Sequence, residues 1–194
     1  MIDETISPLP GPVVDTHCHM NISFDDDHQP PPVDQALALA RSVGVTKVIE
    51  VGCDVASSQW AADVAAQFDD VWATVALHPN AAAHDTNLQK SLEQIATLAQ
   101  LPQVRGLGET GLDYYRTEES QASAQHESFR AHIDIAKATN KPVIIHDRDA
   151  HDDVIGTLLS YGAPDTVVFH CFSGDSEMAK VCAAHGWYMS FSGV

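Results

Sequence analysis

Basic residues are scarce in this sequence. Ten lysines and arginines stand against 27 aspartates and glutamates, which gives a formal net charge of −17 at pH 7. A surface with this charge repels nucleic acid and anionic membranes as a whole. A polyanionic substrate would therefore need a local source of positive charge, and a bound divalent metal ion is one such source.

Other absences narrow the class of protein. The stretch 1–12 carries acids and prolines where a secretory signal needs basic and then apolar residues. No apolar run is long enough to cross a bilayer, and the phosphate-loop, zinc-ribbon and GxSxG motifs are absent. The cysteines, which show no CxxC spacing, are Cys18, Cys53, Cys171 and Cys182. We therefore expect a cytoplasmic protein with reduced thiols and no membrane partner.

Short apolar runs alternate with helical patterns along the chain, which we interpret as one domain over residues 1–194. Hydrophobic residues make up 44% of the sequence, as in ordinary globular proteins. Runs rich in valine and isoleucine are typical of strands buried on both faces of a parallel sheet. The predicted strands are Val13–Met20, Lys47–Cys53, Val71–His78, Val104–Glu109, Pro142–His146, Thr166–His170 and Trp187–Ser192. The alternation predicts an α/β protein.

Residues whose side chains can bind metal or take part in catalysis recur at the carboxyl ends of these predicted strands. They are His17, His19, His78, Glu109, His146 and His170. An open doubly wound sheet gathers its ligands mainly at one switch point, whereas a barrel brings all its strand ends around one mouth. The sequence therefore predicts a TIM-type (β/α) barrel. Eight strand–helix units typically take about 250 residues. Because this chain offers only about six units and a seventh strand, we expect a truncated or incompletely represented form of a longer protein.

The segment His17-Cys18-His19 is the first candidate metal-binding motif. Residues two apart in a strand point to the same side, so both imidazoles should face the barrel interior and could chelate a divalent ion. Asp15 precedes them on that side and could orient an imidazole as a hydrogen-bond acceptor. The alternative is a pair of strand histidines that hydrogen-bond to backbone acceptors.

Glu109 is the second candidate, at the end of the fourth predicted strand. A glutamate inside a barrel without a partner would cost several kcal/mol or would bind a proton. Its two oxygens could bridge two metal ions, which removes that cost. The alternative is a buried salt bridge with Arg105 or Arg148. His146 and His170, which each end an apolar run, are weaker candidates when taken singly.

Several motifs together carry a family resemblance. They are DTHCHM at Asp15–Met20, LHP at Leu77–Pro79, GETGLDYY at Gly108–Tyr115, IIHDRDA at Ile144–Ala150 and HCFSG at His170–Gly174. With these motifs in this order, the chain resembles the TatD family of metal-dependent deoxyribonucleases, within the wider metallo-dependent hydrolase barrels. The resemblance covers almost the whole chain.

The resemblance implies a two-metal site. His17 and His19 look like ligands of one metal ion. His146 and His170 look like ligands of the second, and Glu109 looks like the bridging, catalytic carboxylate. The family also uses an aspartate beyond the seventh strand as ligand and general base, and this sequence stops before that position.

Two divalent ions, with Mg²⁺, Mn²⁺ or Zn²⁺ as candidates, can hold a hydroxide nucleophile and stabilise the charge on a phosphodiester. We therefore expect the site to hydrolyse phosphodiester bonds in single-stranded DNA. Arg148 is the candidate catalytic phosphate clamp, because a guanidinium can bind two phosphate oxygens at once. Its alternative is a salt bridge to Asp149 or Glu109. Asp147, where the family often has serine, could reach a metal or Arg148, or face solvent.

Two other functions stay open. The same site could hydrolyse another ester or amide bond, such as the ester of a D-aminoacyl-tRNA. The chain could also be a non-catalytic metal-binding fragment without the final aspartate. The oligomeric state is not predicted.

Overall fold

The computed structural model describes residues 7–23 and 29–192. The acidic run Asp25–Asp27, which the sequence predicts to be a solvated loop, lies outside the described residues. Within the described ranges, no helix is both long and apolar enough to cross a membrane.

Strands and helices alternate along the chain. The strands are β1 Val13–Cys18, β2 Val45–Val51, β3 Val71–Val75, β4 Val104–Asp113, β5 Val143–Arg148, β6 Val167–Phe169 and β7 Tyr188–Met189. The α-helices are α1 Val33–Ser42, α2 Val55–Gln67, α3 Pro79–His84, α4 Leu88–Leu98, α5 Ala122–Thr139, α6 His151–Thr157 and α7 Ser176–Ala184. A 3₁₀ turn at Glu119–Gln121 precedes α5, and a π-helical turn at Leu158–Gly162 extends α6.

All of these strands are parallel and lie in the sheet in chain order, from β1 to β7. Each connection between neighbouring strands contains at least one helix. This order is that of a (β/α) barrel, because a doubly wound sheet reverses its strand order at a switch point. The predicted TIM-type barrel is therefore confirmed. In the described residues β1 pairs with β2 and β7 pairs with β6, so the barrel is incomplete in this chain.

Helix α5 shows how the apolar pattern builds the core. Phe129, Ile133 and Ala136 repeat with helical spacing, and each is fully buried. They belong to one apolar cluster with Leu107 of β4 and Ile145 of β5. Burying a side chain as large as phenylalanine or isoleucine stabilises the fold by about 1.5–3 kcal/mol. The packing of α5 on the sheet thus supports the two strands that carry the central glutamate and one of the candidate histidines.

Strand β4 is longer than the sequence predicts. Its predicted end is Glu109, but the strand continues to Asp113 and stays paired with β5. Gly111 permits this extension, because its φ is +139° and a Cβ there would lie 2.1 Å from the carbonyl oxygen of His146. Side chains of L-residues rarely fit such a conformation. The extension brings Asp113 into the barrel mouth.

His132 of α5 is fully buried as a neutral side chain. Its Nε2 accepts the backbone N–H of Leu77 at 3.1 Å, and its Nδ1 donates to the carbonyl oxygen of Ser128 at 2.7 Å. Burial lowers the pKa of His132 to about 4, and the bond to Ser128 opposes this only in part. The imidazole thus ties α5 to the segment that follows β3.

We expect His132 to make the free energy of unfolding depend on pH. Between its ordinary pKa of 6.5 and its folded value of about 4, only the unfolded chain takes up the proton. Stability that is present above pH 6.5 is therefore lost as the pH falls through this window. The full loss corresponds to about 3 kcal/mol. Urea unfolding in EDTA, between about pH 7.5 and 4.5, should show a shallower pH dependence for His132→Gln than for the wild type.

His185→Gln is the matched control, because it removes an exposed histidine next to α7. Its pH dependence should follow that of the wild type. Parallel curves for the wild type and His132→Gln would contradict the prediction.

Candidate metal centre

The carboxylate of Glu109 lies in the middle of the barrel mouth and is 6% exposed. Its Oε1 lies 3.0 Å from Nδ1 of His146 and 3.9 Å from Nε2 of His170, and its Oε2 lies 3.5 Å from Nε2 of His17. Burial alone would raise the pKa of Glu109. The hydrogen bonds from His146 and His17 outweigh burial and hold that pKa well below its usual range. The carboxylate is therefore ionised, and histidines from β1, from β5 and from the end of β6 surround it.

The segment His17–His19 brings both of its imidazoles into this mouth. The ring of His17 stacks on His170 with centroids 3.5 Å apart, and the ring of His19 lies edge-on to His17 at 5.1 Å. Nδ1 of His19 lies 3.0 Å from the carbonyl oxygen of Val51, which leaves Nε2 free. The carboxylate of Asp15 accepts the backbone N–H of His17 at 3.0 Å, and among the described residues no hydrogen bond joins it to an imidazole. The carbonyl of Val51 orients the imidazole of His19.

Several imidazoles of the site are held in the neutral form. Burial lowers the pKa of His19, and it lowers the pKa of His78 and of His170 to about 4. Neighbouring histidines lower these values further. A neutral imidazole carries the lone pair that a metal ion needs, so these side chains are suited to be ligands.

His146 lies between two carboxylates. Its Nδ1 faces Glu109, and its Nε2 lies 3.1 Å from Oδ2 of Asp113, which is fully buried. Burial works to lower the pKa of His146, but the two carboxylates outweigh it and raise that pKa. Asp113 is itself fixed, because its Oδ1 accepts the N–H groups of Tyr115 and Arg116 at 3.0 and 2.9 Å. Asp113 can therefore orient His146 from behind.

Three groups of potential ligands meet at Glu109. Within each group the ligand atoms lie within 4.8 Å of one another. The groups are His17, Glu109 and His170; His19, Cys53 and Glu109; and His78, Glu109 and His146. Imidazole, carboxylate and thiolate are all donors that divalent zinc accepts, so the residues fit a divalent metal. The implied pairs, His17 with His19 and His146 with His170, differ from these groups and stay predictions.

Sequence reasoning missed several of these residues. His78 was placed at a strand end but assigned to no metal, Cys53 was expected only as a reduced thiol, and Asp113 fell outside the predicted strand. A usable signal for Asp113 exists, since positions 109, 111 and 113 share one face of an extended strand. Glu50 also escaped notice, although it interrupts an apolar run. It is fully buried, which raises its pKa to about 7, and its Oε2 accepts the N–H of Met20 at 2.9 Å.

Arg148 lies at the rim of the site. Its guanidinium lies 4.1 Å from the ring centroid of Tyr115. Arg148 and Arg116 line the same pocket as Glu109, which has a volume of about 650 Å³. In the described ranges no ion pair joins Arg148 to Asp149 or Glu109, so the salt-bridge alternatives are not observed.

Asp147 does not face solvent, and among the described residues it neither belongs to a candidate ligand group nor pairs with Arg148. Its side chain is 6% exposed, and its Oδ2 lies 2.7 Å from Nδ1 of His151 on α6. Burial raises the pKa of Asp147, although the bond to His151 opposes this. The carboxylate therefore joins β5 to α6.

Histidines gathered around one shared carboxylate, at the carboxyl ends of parallel barrel strands, define a metal-dependent hydrolase of the TIM-barrel type. The chain belongs to the family described as TatD related DNase, whose sequence model matches residues 14–194.

The relatives support this assignment. An uncharacterized metal-dependent hydrolase TatD of Mycobacterium tuberculosis is 39% identical over 185 residues, which cover 93% of this chain and 69% of that protein. The 3'-5' ssDNA/RNA exonuclease TatD of Escherichia coli is 35% identical over 164 residues, which cover 82% of this chain and 61% of that protein. The crystal structure of YJJV, a TatD homologue of E. coli, matches with a TM-score of 0.79 and 27% identity, and covers 91% of this chain and 66% of that one. The chain thus spans about two thirds of the length of these relatives.

We expect Asp113→Asn to weaken zinc binding about 10–100-fold. Asparagine keeps an oxygen for the N–H groups of Tyr115 and Arg116, but it loses the charge that orients His146. Competition with a chromophoric chelator measures the affinity. Asp134→Asn, on the exposed face of α5, is the control and should bind zinc as the wild type does. Equal affinity of both variants would show that Asp113 does not support the centre.

Proposed function

We propose that the chain carries a two-metal site that hydrolyses phosphodiester bonds in single-stranded DNA. The observation that carries the proposal is the position of Glu109, whose carboxylate belongs to every candidate ligand group. A carboxylate shared in this way is suited to hold two divalent ions side by side. Mg²⁺, Mn²⁺ and Zn²⁺ are the candidates, and among these the histidine donors favour Zn²⁺.

Two divalent ions bound about 3.5–4 Å apart would activate water and neutralise the charge that develops on a phosphodiester. They would also supply the positive charge that a chain of net charge −17 lacks elsewhere. The role of the chain's own residues is to hold these ions in position. His17, His19, His146 and His170 are the proposed ligands around Glu109.

Arg148 is proposed to hold the substrate. Its guanidinium is stacked on Tyr115, and no acid in the described part of the chain pairs with it, so its N–H groups are available to a phosphate. Tyr115 is 63% exposed. A nucleic acid strand in the pocket would therefore meet a positioned cation at the rim and the metal site at the floor.

The name of the E. coli relative, an ssDNA/RNA exonuclease, supports a nucleic acid substrate. Other relatives are named only as metal-dependent hydrolases, so the substrate has to be measured. End-labelled single-stranded DNA, duplex DNA and RNA are the test substrates, together with an aminoacyl ester and an amide. Each is assayed with Mg²⁺, Mn²⁺ and Zn²⁺ and after treatment with EDTA.

We expect Glu109→Gln to reduce nucleotide release by about 100-fold or more, because an amide cannot be shared by two cations as a carboxylate can. Metal analysis should give about two ions per wild-type chain and fewer in the variant. Glu93→Gln, on an exposed position of α4, is the control and should keep wild-type activity.

Other outcomes would redirect the assignment. Cleavage of the ester or amide without nucleotide release would assign the site to another bond. Metal binding without any turnover would make the chain a non-catalytic metal-binding fragment. No metal uptake at all would overturn the proposed centre itself.

We expect Arg148→Lys to raise KM for DNA about tenfold with a smaller effect on kcat, because an ammonium keeps the charge but loses the two-point contact with phosphate. Arg148→Ala should raise KM further. Steady-state kinetics on single-stranded DNA measures both parameters, and Arg41→Lys, which changes the Arg41–Asp70 ion pair, is the control. An unchanged KM in both Arg148 variants would remove Arg148 from substrate binding.

A further inference from the structure

Cys53 lies at the carboxyl end of β2, in the barrel mouth. It follows the last strand residue, Val51, after Gly52. Its Sγ, a nitrogen of His19 and an oxygen of Glu109 all lie within 4.8 Å of one another. A tetrahedral zinc ion holds its donors roughly 3.5 Å apart. A small inward movement of these three side chains would therefore close them on one ion.

The backbone around Cys53 is held from several directions. The N–H of Cys53 donates to the hydroxyl of Ser57 at 2.9 Å, and its carbonyl accepts the N–H of His78 at 2.8 Å. Ser57 belongs to the capping box that starts α2, together with Asp54. Gly52 packs so closely on α2 that a Cβ there would lie 2.4 Å from the hydroxyl of Ser58. The thiol is thus presented by a firmly connected turn.

The same end of β2 also orients His19. Because Nδ1 of His19 lies at the carbonyl of Val51, Nε2 is the nitrogen left for a ligand. Val51 and Cys53 are two residues apart. The carbonyl that fixes the imidazole of His19 and the residue that carries the thiol therefore belong to the same short segment. The imidazole of His19 and the thiol of Cys53 are thus held close enough to bind the same ion.

The other cysteines have different surroundings. Sγ of Cys18 lies 3.4 Å from the carbonyl oxygen of Ile49 and 3.6 Å from Oε2 of Glu50. Cys171 is exposed and contacts the hydroxyl of Ser192, and Cys182 is buried in α7. Among the described residues, none of these three belongs to a candidate ligand group.

We propose that Cys53 is a metal ligand, which binds as thiolate the ion held by His19 and Glu109 and makes this half of the centre selective for zinc-like ions. The sulfur–metal bond forms as the thiol proton leaves to solvent. The other two candidate groups contain only imidazole and carboxylate donors. The group with Cys53 is therefore the side of the centre with the softer donor set. This inference rests on the metal centre proposed above and adds a donor to it.

Cobalt(II) substitution tests the proposal without an activity assay. A cysteine–cobalt bond gives a charge-transfer absorption in the near ultraviolet, in addition to the weaker visible bands of cobalt. We expect the wild type to show this absorption and Cys53→Ser to lose it while keeping the visible bands. Cys171→Ser is the matched control, because Cys171 lines the same mouth outside the ligand groups, and it should keep the absorption.

A second variant tests Cys53 even if Cys53→Ser does not fold. The triple variant Cys18→Ser, Cys171→Ser, Cys182→Ser leaves Cys53 as the single thiol and should keep the charge-transfer absorption. Cadmium and manganese provide a further comparison. We expect Cys53→Ser to bind Cd²⁺ at least about 10-fold more weakly and to bind Mn²⁺ within about threefold of the wild type.

Each result has one meaning. Cobalt uptake by the wild type without the charge-transfer absorption overturns the role of Cys53 and leaves the histidine–carboxylate centre standing. Persistence of the absorption in Cys53→Ser, or equal losses of Cd²⁺ and Mn²⁺ affinity, also overturns it. No cobalt uptake by the wild type overturns the centre and this inference together.

Discussion

An ionised carboxylate buried in the mouth of the barrel is the constraint on which this site depends. Glu109 is 6% exposed, and a charge in such a place is costly unless opposite charge or hydrogen-bond donors surround it. His17, His146 and His170 provide that environment from separate strands. The parallel arrangement makes this possible, because it brings the carboxyl ends of all strands to one face. The stability of the site is thus a property of the sheet as a whole.

The close approach of β4 and β5 gives the site its depth. A Cβ at Gly108 would lie 2.5 Å from that of Ile144, and a Cβ at Gly111 would meet the backbone of His146. The absence of side chains at these glycines lets β4 continue beside β5 as far as Asp113. His146 consequently has a carboxylate on each side. The same glycines that shape the strand pair therefore also position a histidine.

The charge of the molecule and the composition of the site belong together. A chain of net charge −17 with Asp113 and Glu109 in its mouth attracts cations before it attracts a polyanion. Bound metal would reverse the local charge, and Arg148 and Arg116 would extend the positive region to the rim. The donors are not uniform, since Cys53 adds sulfur on one side only. If the centre holds the proposed pair of ions, this asymmetry would let them differ in identity and in exchange rate.

Local pattern in the sequence determined the alternation of strands and helices, the barrel, and the placement of His17, Glu109, His146 and His170 on or directly after strands β1, β4, β5 and β6. These follow from apolar runs and a period of two, which each segment carries by itself. Only the tertiary structure decided which donors share a space the size of an ion, and so revealed Asp113 and Cys53. Distances between strands depend on register, on the glycines that permit close approach and on the turns that follow each strand, and no single segment of sequence contains them.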